Sequence, residues 1–191
     1  NADAGAFFTK WLVDLVQDSQ LEDGSFGDVA PHVALGGGAV AWGDAAMICT
    51  YQIYRYYGDT AIIQRHFPNL VRGMEFLEKT SENGIRKKMG YGDWLNKGGG
   101  AKDEVICTAY FAYLAGLMRE MADAIGETDK AKHYAELEAT IKDAFVKSFI
   151  SEDGKILDSS QTGYALAFTM GLVPDALKEK AAAAFEAEVA R

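Results

Sequence analysis

Two kinds of helix alternate along this chain, distinguished by how charge is placed among the apolar positions. Residues Ala6 to Gln17 set Phe7, Phe8, Trp11, Leu12 and Leu15 at helical spacing. A Gly-rich loop, Glu22 to Gly38, follows. The stretch from about Gly43 to Tyr57 is almost uncharged, with Ala45, Ala46, Met47, Ile48, Cys49, Tyr51, Ile53 and Tyr54 leaving little polar face. Gly58 reads as its stop and Asp59 or Thr60 as the next N-cap. Thr60 to Thr80 is then amphipathic, with a stripe of Ile63, Phe67, Leu70, Met74 and Leu77, and Pro68 is expected to kink or split it. The cycle returns twice. Residues 105–118 carry no charge, while Asp129 to Phe149 is amphipathic through Tyr134, Leu137, Ile141 and Phe145. Gln161 to Leu172 is uncharged, and after Pro174 an amphipathic helix aligns Leu177, Ala181, Phe185 and Val189.

A turn signal keeps the same period. Asp23-Gly24, Asn83-Gly84 and Asp153-Gly154 each follow an amphipathic helix, at separations of 60 and 70 residues. Gly in an Asx-Gly pair supplies the positive φ that a tight turn needs. The repeat is an uncharged helix, a Gly turn, an amphipathic helix, an Asx-Gly turn and a long loop. Stacked helical-hairpin repeats have a period nearer 34 and leave both helices partly exposed. One charge-free helix per pair points instead to two concentric layers. The expected class is all-α, an (α/α)6 toroid, with three pairs and one extra outer helix making about half of the six-hairpin barrel. Ala45–Tyr54, Val105–Met118 and Tyr164–Met170 should be more buried than their amphipathic partners. In an open half ring, exposed inner faces would favour self-association. The long loops gather at the N-termini of the inner helices, where anions and hydrogen-bonding groups are favoured and a site is expected.

The chain has 191 residues, enough for one domain with a sizeable core. Its 49% hydrophobic and 25% charged content excludes a disordered chain. Lys and Arg number 19 against 28 Asp and Glu, for a net charge of −9. The only basic cluster is the short run Arg86-Lys87-Lys88, so nucleic acid is excluded as a partner. Apolar runs fall short of a membrane span. Asn1-Ala2 resembles the scar of a cleaved tag, and the helical pattern running into Arg191 suggests a piece of a longer protein, with residues 3–191 as the domain fragment. Cys49 and Cys107 lie in apolar runs and read as buried free thiols. His32, His66 and His133 are isolated, with no metal-ligand spacing, and no metal or cofactor is expected. The run from Gly98 to Asp103 lacks the Lys-Ser/Thr of a phosphate loop and reads as flexible.

Carboxylates and tryptophans at the loop-rich end remain: Asp28, Trp42, Asp44, Asp93, Trp94, Asp103, Glu104 and Asp158. Ala41-Trp42-Gly43-Asp44 and Tyr91-Gly92-Asp93-Trp94 each join an aromatic plate, a Gly and an acid just before an inner helix. Indoles stack on apolar sugar faces and carboxylates accept bonds from hydroxyls. The same residues also have a plain structural use, Asp44 and Asp103 as N-caps and the tryptophans as loop packing.

Several of these runs resemble the bacterial α-L-rhamnosidases of glycoside hydrolase family 78. They are Asp23-Gly24-Ser25-Phe26, Ala30-Pro31, the run from Gly38 to Ala46, Tyr56-Tyr57-Gly58-Asp59, Gly92-Asp93-Trp94-Leu95, the run from Thr108 to Tyr113, the run from Gln161 to Ala167, and Gly171-Leu172-Val173-Pro174. The resemblance spans residues 3–191. It implies a six-hairpin α/α barrel and inverting hydrolysis of terminal α-L-rhamnosides, in which one carboxylic acid protonates the leaving oxygen and another carboxylate activates water. Trp42 and Trp94 match tryptophans of the rhamnose pocket, and Asp44 and Asp93 are the acids expected beside them. The resemblance places the general acid in an Asp-Glu-Arg-containing stretch upstream and the base in a Trp-Glu segment downstream, so no catalytic residue is assigned within the chain. The expected partners are rhamnose-containing glycosides. Another six-hairpin glycosidase, or a non-catalytic carbohydrate-binding or scaffold protein, stands as the alternative. The compartment stays open.

Overall fold

The computed structural model describes residues 4–31, 36–87, 90–96, 100–157 and 160–190. It is helical, in the order α1 (Gly5–Val13), α2 (Ala45–Tyr57), α3 (Thr60–Thr80), α4 (Asp103–Ile125), α5 (Thr128–Phe149), α6 (Gln161–Thr169) and α7 (Lys178–Val189). A π-helical turn, Asp14–Asp18, extends α1, and a 3-10 turn, Asp175–Leu177, leads into α7. Helix α4 packs against α2 on one side and α6 on the other, with α3 and α5 also against it. The uncharged helices thus form an inner row and the amphipathic ones lie outside it, as the charge pattern predicts.

The Asx-Gly turns explain how successive pairs are spaced. Each is clamped by a short antiparallel pairing: Gln20 with Phe26, β1 (Ser81–Glu82) with β2 (Ile85–Arg86), and Ile150 with Ile156. Asn83 and Gly84 both have positive φ, at 52° and 78°, which is the turn that matches the twist of a two-residue hairpin. Each glycine also lies against the following outer helix. A Cβ on Gly24 would fall 2.6 Å from the Arg72 carbonyl oxygen of α3. One on Gly84 would meet Ala144 of α5 at 3.0 Å, and one on Gly154 the Ala181 nitrogen of α7 at 2.7 Å. The turn dipeptide therefore sets the close approach of each outer helix to the hairpin before it.

The layering holds for the later pairs. Helix α4 is buried along its length from Val105 to Ala122, whereas α5 buries a single stripe through Tyr134, Ile141 and Phe145. Helix α6 buries Gly163, Tyr164 and Ala167, against Ala181 alone on α7. The first pair departs from expectation. Helix α2 buries only Ala46, Met47, Thr50 and Ile53, while α3 is buried from Ile62 to Leu77. The reason is neighbours: α3 packs against α2, α4, the π-helical turn and β1, whereas one side of α2 stays open. Its Cys49, Tyr56 and Tyr57, with Phe8 and Trp11 of α1, line an open apolar groove of about 620 Å³. Cys49 is accordingly only partly buried, unlike the buried Cys107. Pro68 does not split α3. Ile63 and Phe67 before it and Leu70 and Met74 after it sit in one core, which holds the helix together across the missing amide donor. Among the described residues no helix is long and apolar enough to cross a membrane. His32, Lys88, Gly98, Gly99, Asp158 and the terminal residues 1–3 and 191 lie outside the described residues.

Gly24→Ala adds both a strained φ, 95° in the native turn, and a backbone clash, and is expected to cost about 2–4 kcal/mol. Gly126→Ala, with φ of 78° and open space around it, should cost only about 1 kcal/mol. Urea denaturation of both variants separates the two contributions. A second expectation concerns acid. His66 is fully buried, neither ring nitrogen has a hydrogen-bond partner among the described residues, and burial first, then Arg65, pushes its pKa down to about 4. The unfolded chain then binds the proton more readily, so stability is lost as pH falls from about 6.5 towards 4. His66→Leu should flatten that part of the pH–stability curve, followed by thermal unfolding.

Candidate functional site

The loop-rich end is organised by a buried ion pair. Arg86, at the end of β2, is fully buried. Its Nη1 donates to both Asp44 oxygens at 3.1 and 3.0 Å, and its Nη2 donates to the Gly38 carbonyl at 2.9 Å. Its main-chain N–H donates to Thr108 Oγ1 of α4 at 3.2 Å. Asp44 is 2% exposed, and its Oδ2 also accepts the Ala41 N–H at 2.9 Å. That bond holds Ala41 at φ 65°, in the left-handed region disfavoured for a residue with a Cβ. The peptide turn that results leaves Trp42 46% exposed, while the Trp42 and Gly43 amides donate to Ala39 O at 3.2 and 2.9 Å.

The second motif meets the first across this end. Asp28 Oδ1 accepts the Ala39 N–H at 3.0 Å, and its Oδ2 accepts the Tyr91 hydroxyl at 3.0 Å. The Tyr91 ring lies 5.0 Å from Trp42 and 5.7 Å from Trp94, so three exposed rings form one wall. Asp93 Oδ2 accepts the Ala101 N–H and the Asn96 amide, both at 3.0 Å, folding the loop back towards α4. Gly92, at φ 66°, leaves room for Asp103: a Cβ there would lie 2.5 Å from Asp103 Oδ1. Beneath the loops, Val40, Ala101, Ile106 and Cys107 make a small second core, with Tyr110 and Leu166 against it. Burial first and the Asp44 charge second raise the Tyr110 phenol above its ordinary pKa.

The structure thus brings Trp42, Trp94, Asp93, Asp28 and Asp103 to one end, with Glu104 exposed beside Asp103. Asp44 is there too, but as a correction: its carboxylate faces Arg86 in the interior, so it acts on the site by fixing the turn that carries Trp42. It is not a side-chain cap of α2, and Asp103 lies within the first turn of α4, after the N-cap residue Lys102. Arg86 is likewise not surface base, and Lys87 pairs with Glu82 at 2.5 Å. The sequence reading missed Arg86, because nothing in the run Arg86-Lys87-Lys88 marks its first member as buried. It also passed over Tyr91, although that ring stands in the same motif as Trp94.

A family model described as the bacterial alpha-L-rhamnosidase 6 hairpin glycosidase domain matches residues 1–191. The chain belongs to that family. An alpha-L-rhamnosidase of Streptomyces avermitilis is 41% identical over 181 residues, covering 94% of this chain and 17% of that protein. One from Alteromonas sp. is 31% identical, over 91% of this chain and 20% of that protein. Among solved structures, the Streptomyces avermitilis alpha-L-rhamnosidase complexed with L-rhamnose superposes with a TM-score of 0.92 at 40% identity, over 98% of this chain and 18% of that one. The alpha-L-rhamnosidase from Dictyoglumus thermophilum gives 0.85 at 31% identity, over 93% of this chain and 21% of that one. The chain spans about a fifth of the length of these rhamnosidases, and the two-layered helical row is part of the six-hairpin toroid.

Removing one member of the buried pair strands the other. Arg86→Met should cost about 3–5 kcal/mol, and Arg86→Met with Asp44→Leu should cost clearly less than the two single changes together. Chemical denaturation of the three variants measures the coupling.

Proposed function

We propose that this chain is the central part of an inverting α-L-rhamnosidase catalytic domain, supplying one wall of the pocket for a terminal rhamnose. The observation that carries the reading is the contiguous Trp42–Tyr91–Trp94 surface at the entry to α2 and α4, in a member of this family. The likeness to a rhamnosidase complexed with L-rhamnose supports it. Exposed aromatic plates pack against the C–H faces of a sugar and its methyl group. Trp42 and Trp94 take that part here, and Asp93 accepts a sugar hydroxyl.

The general acid and general base lie outside residues 1–191 in this reading, in keeping with the resemblance and with the fifth of the relatives' length that the chain spans. Hydrolysis with inversion adds water to the anomeric carbon as the bond to the leaving oxygen breaks. The base takes the water proton and the acid delivers one to the leaving oxygen. Each of those groups typically contributes about 10²–10⁴-fold. A wall without them binds and orients but does not turn over.

Two outcomes test the reading. The 191-residue chain incubated with nitrophenyl α-L-rhamnoside should release no nitrophenol above background, whereas the intact parent enzyme should. Turnover by the chain that is abolished by changing Asp28, Asp93, Asp103, Glu104 or Asp158 would place the chemistry inside it. In the parent, Trp42→Ala and Trp94→Ala should each lower kcat/KM by about 10-fold or more without lowering the melting temperature appreciably.

A further inference from the structure

We propose that Tyr91 is the positioning residue of this sugar wall, setting the spacing of Trp42 and Trp94 with its ring and locking that spacing to the preceding loop through its hydroxyl on Asp28. The inference rests on the reading of the two indoles as sugar-contacting and extends it to a residue that touches both.

The geometry is specific. Trp42 and Trp94 come from loops 52 positions apart in sequence, and the wall between them is made by the Tyr91 ring. Its centroid is 5.0 Å from Trp42 at a tilt of 56° and 5.7 Å from Trp94 at 83°, an edge-to-face contact. Trp42 and Trp94 are 46% and 65% exposed, so the protein interior alone does not fix their rotamers. An unanchored indole must lose rotamer freedom when sugar binds, and that cost comes out of affinity.

The hydroxyl supplies the anchor. Tyr91 donates to Asp28 Oδ2, the other oxygen of Asp28 accepts the Ala39 N–H, and the Ala39 carbonyl accepts the amides of Trp42 and Gly43. One chain of bonds therefore runs from the phenol to the peptide that carries Trp42. The hydrogen bond to Asp28 holds the Tyr91 pKa above its ordinary value, so the phenol keeps its proton and stays a donor. Gly90, at φ 113°, lies against Ala39, with a Cβ there only 2.9 Å from the Ala39 Cβ, so the backbone before Tyr91 is seated on the same residue that Asp28 holds. Asp28 thus joins the two tryptophan loops, and neither Tyr91 nor Asp28 has to contact the reacting atoms to affect binding.

The test uses the intact parent enzyme, with L-rhamnose as a competitive inhibitor and nitrophenyl α-L-rhamnoside as substrate. Tyr91→Phe and Asp28→Asn should each weaken rhamnose inhibition and raise KM by roughly five-fold, with kcat changed less than two-fold. The double variant should be no worse than either single one, because both break the same link. Tyr91→Ala, which also removes the spacer ring, should be several-fold worse again. Lower melting temperatures with unchanged KM and inhibition constant would overturn the proposal and leave a merely structural tyrosine. If Trp42→Ala and Trp94→Ala weaken rhamnose inhibition while Tyr91→Phe and Asp28→Asn do not, the proposal fails and the sugar-wall reading stands. If the tryptophan variants leave rhamnose inhibition intact, that reading fails, and this proposal with it.

Discussion

The guanidinium of Arg86 is the point at which the loop end of this molecule is tied together. A fully buried charge is costly unless paired and hydrogen-bonded; the guanidinium donates to the Asp44 carboxylate and the Gly38 carbonyl, with Nε left unpartnered among the described residues, while the main-chain N–H of Arg86 donates to Thr108 on α4. Asp44 in turn holds Ala41 in an unfavoured backbone conformation, and that conformation carries Trp42 to the surface. The exposed aromatic wall therefore depends on a buried charge pair beneath it.

Much of the frame was legible from charge placement alone. Residues 105–118 carry no charge because α4 has neighbours on several sides, and the amphipathic stripe of α5 has one apolar face to bury. The Asx-Gly dipeptides were legible as turns, since positive φ favours Gly. Their second role, as the points where outer helices press on the preceding hairpin, depends on distances across 27 to 60 residues that local pattern does not contain. The apolar composition of α2 was read as greater burial than that of its amphipathic partner α3. The groove-facing Cys49, Tyr56 and Tyr57 of α2 show that apolar composition reports what a helix can bury, while burial itself depends on which neighbours are present.

The site was half legible. Trp42 and Trp94 stood out because tryptophan beside Gly and an acid is rare and chemically pointed, and the structure brings both to one end through Tyr91. Asp44 stood out for the same reason and proved to be interior, because its partner is 42 positions away in a run that reads as surface base. Asp28 was noted only as an acid at the right end; its two bonds, one to each tryptophan loop, emerge from the fold. Long-range polar pairing is what single-sequence reasoning misses, and the positioning groups here are long-range polar pairs.

The central claim is that this segment forms one wall of a rhamnose pocket whose reacting carboxylates lie elsewhere in the polypeptide. A crystal structure of the intact parent enzyme with L-rhamnose tests it most directly. The account predicts the sugar in van der Waals contact with the indoles of Trp42 and Trp94, and the carboxylates nearest the anomeric carbon drawn from outside residues 1–191. Rhamnose bound away from both indoles, or an anomeric carbon flanked by Asp28, Asp93, Asp103 or Glu104, would contradict it.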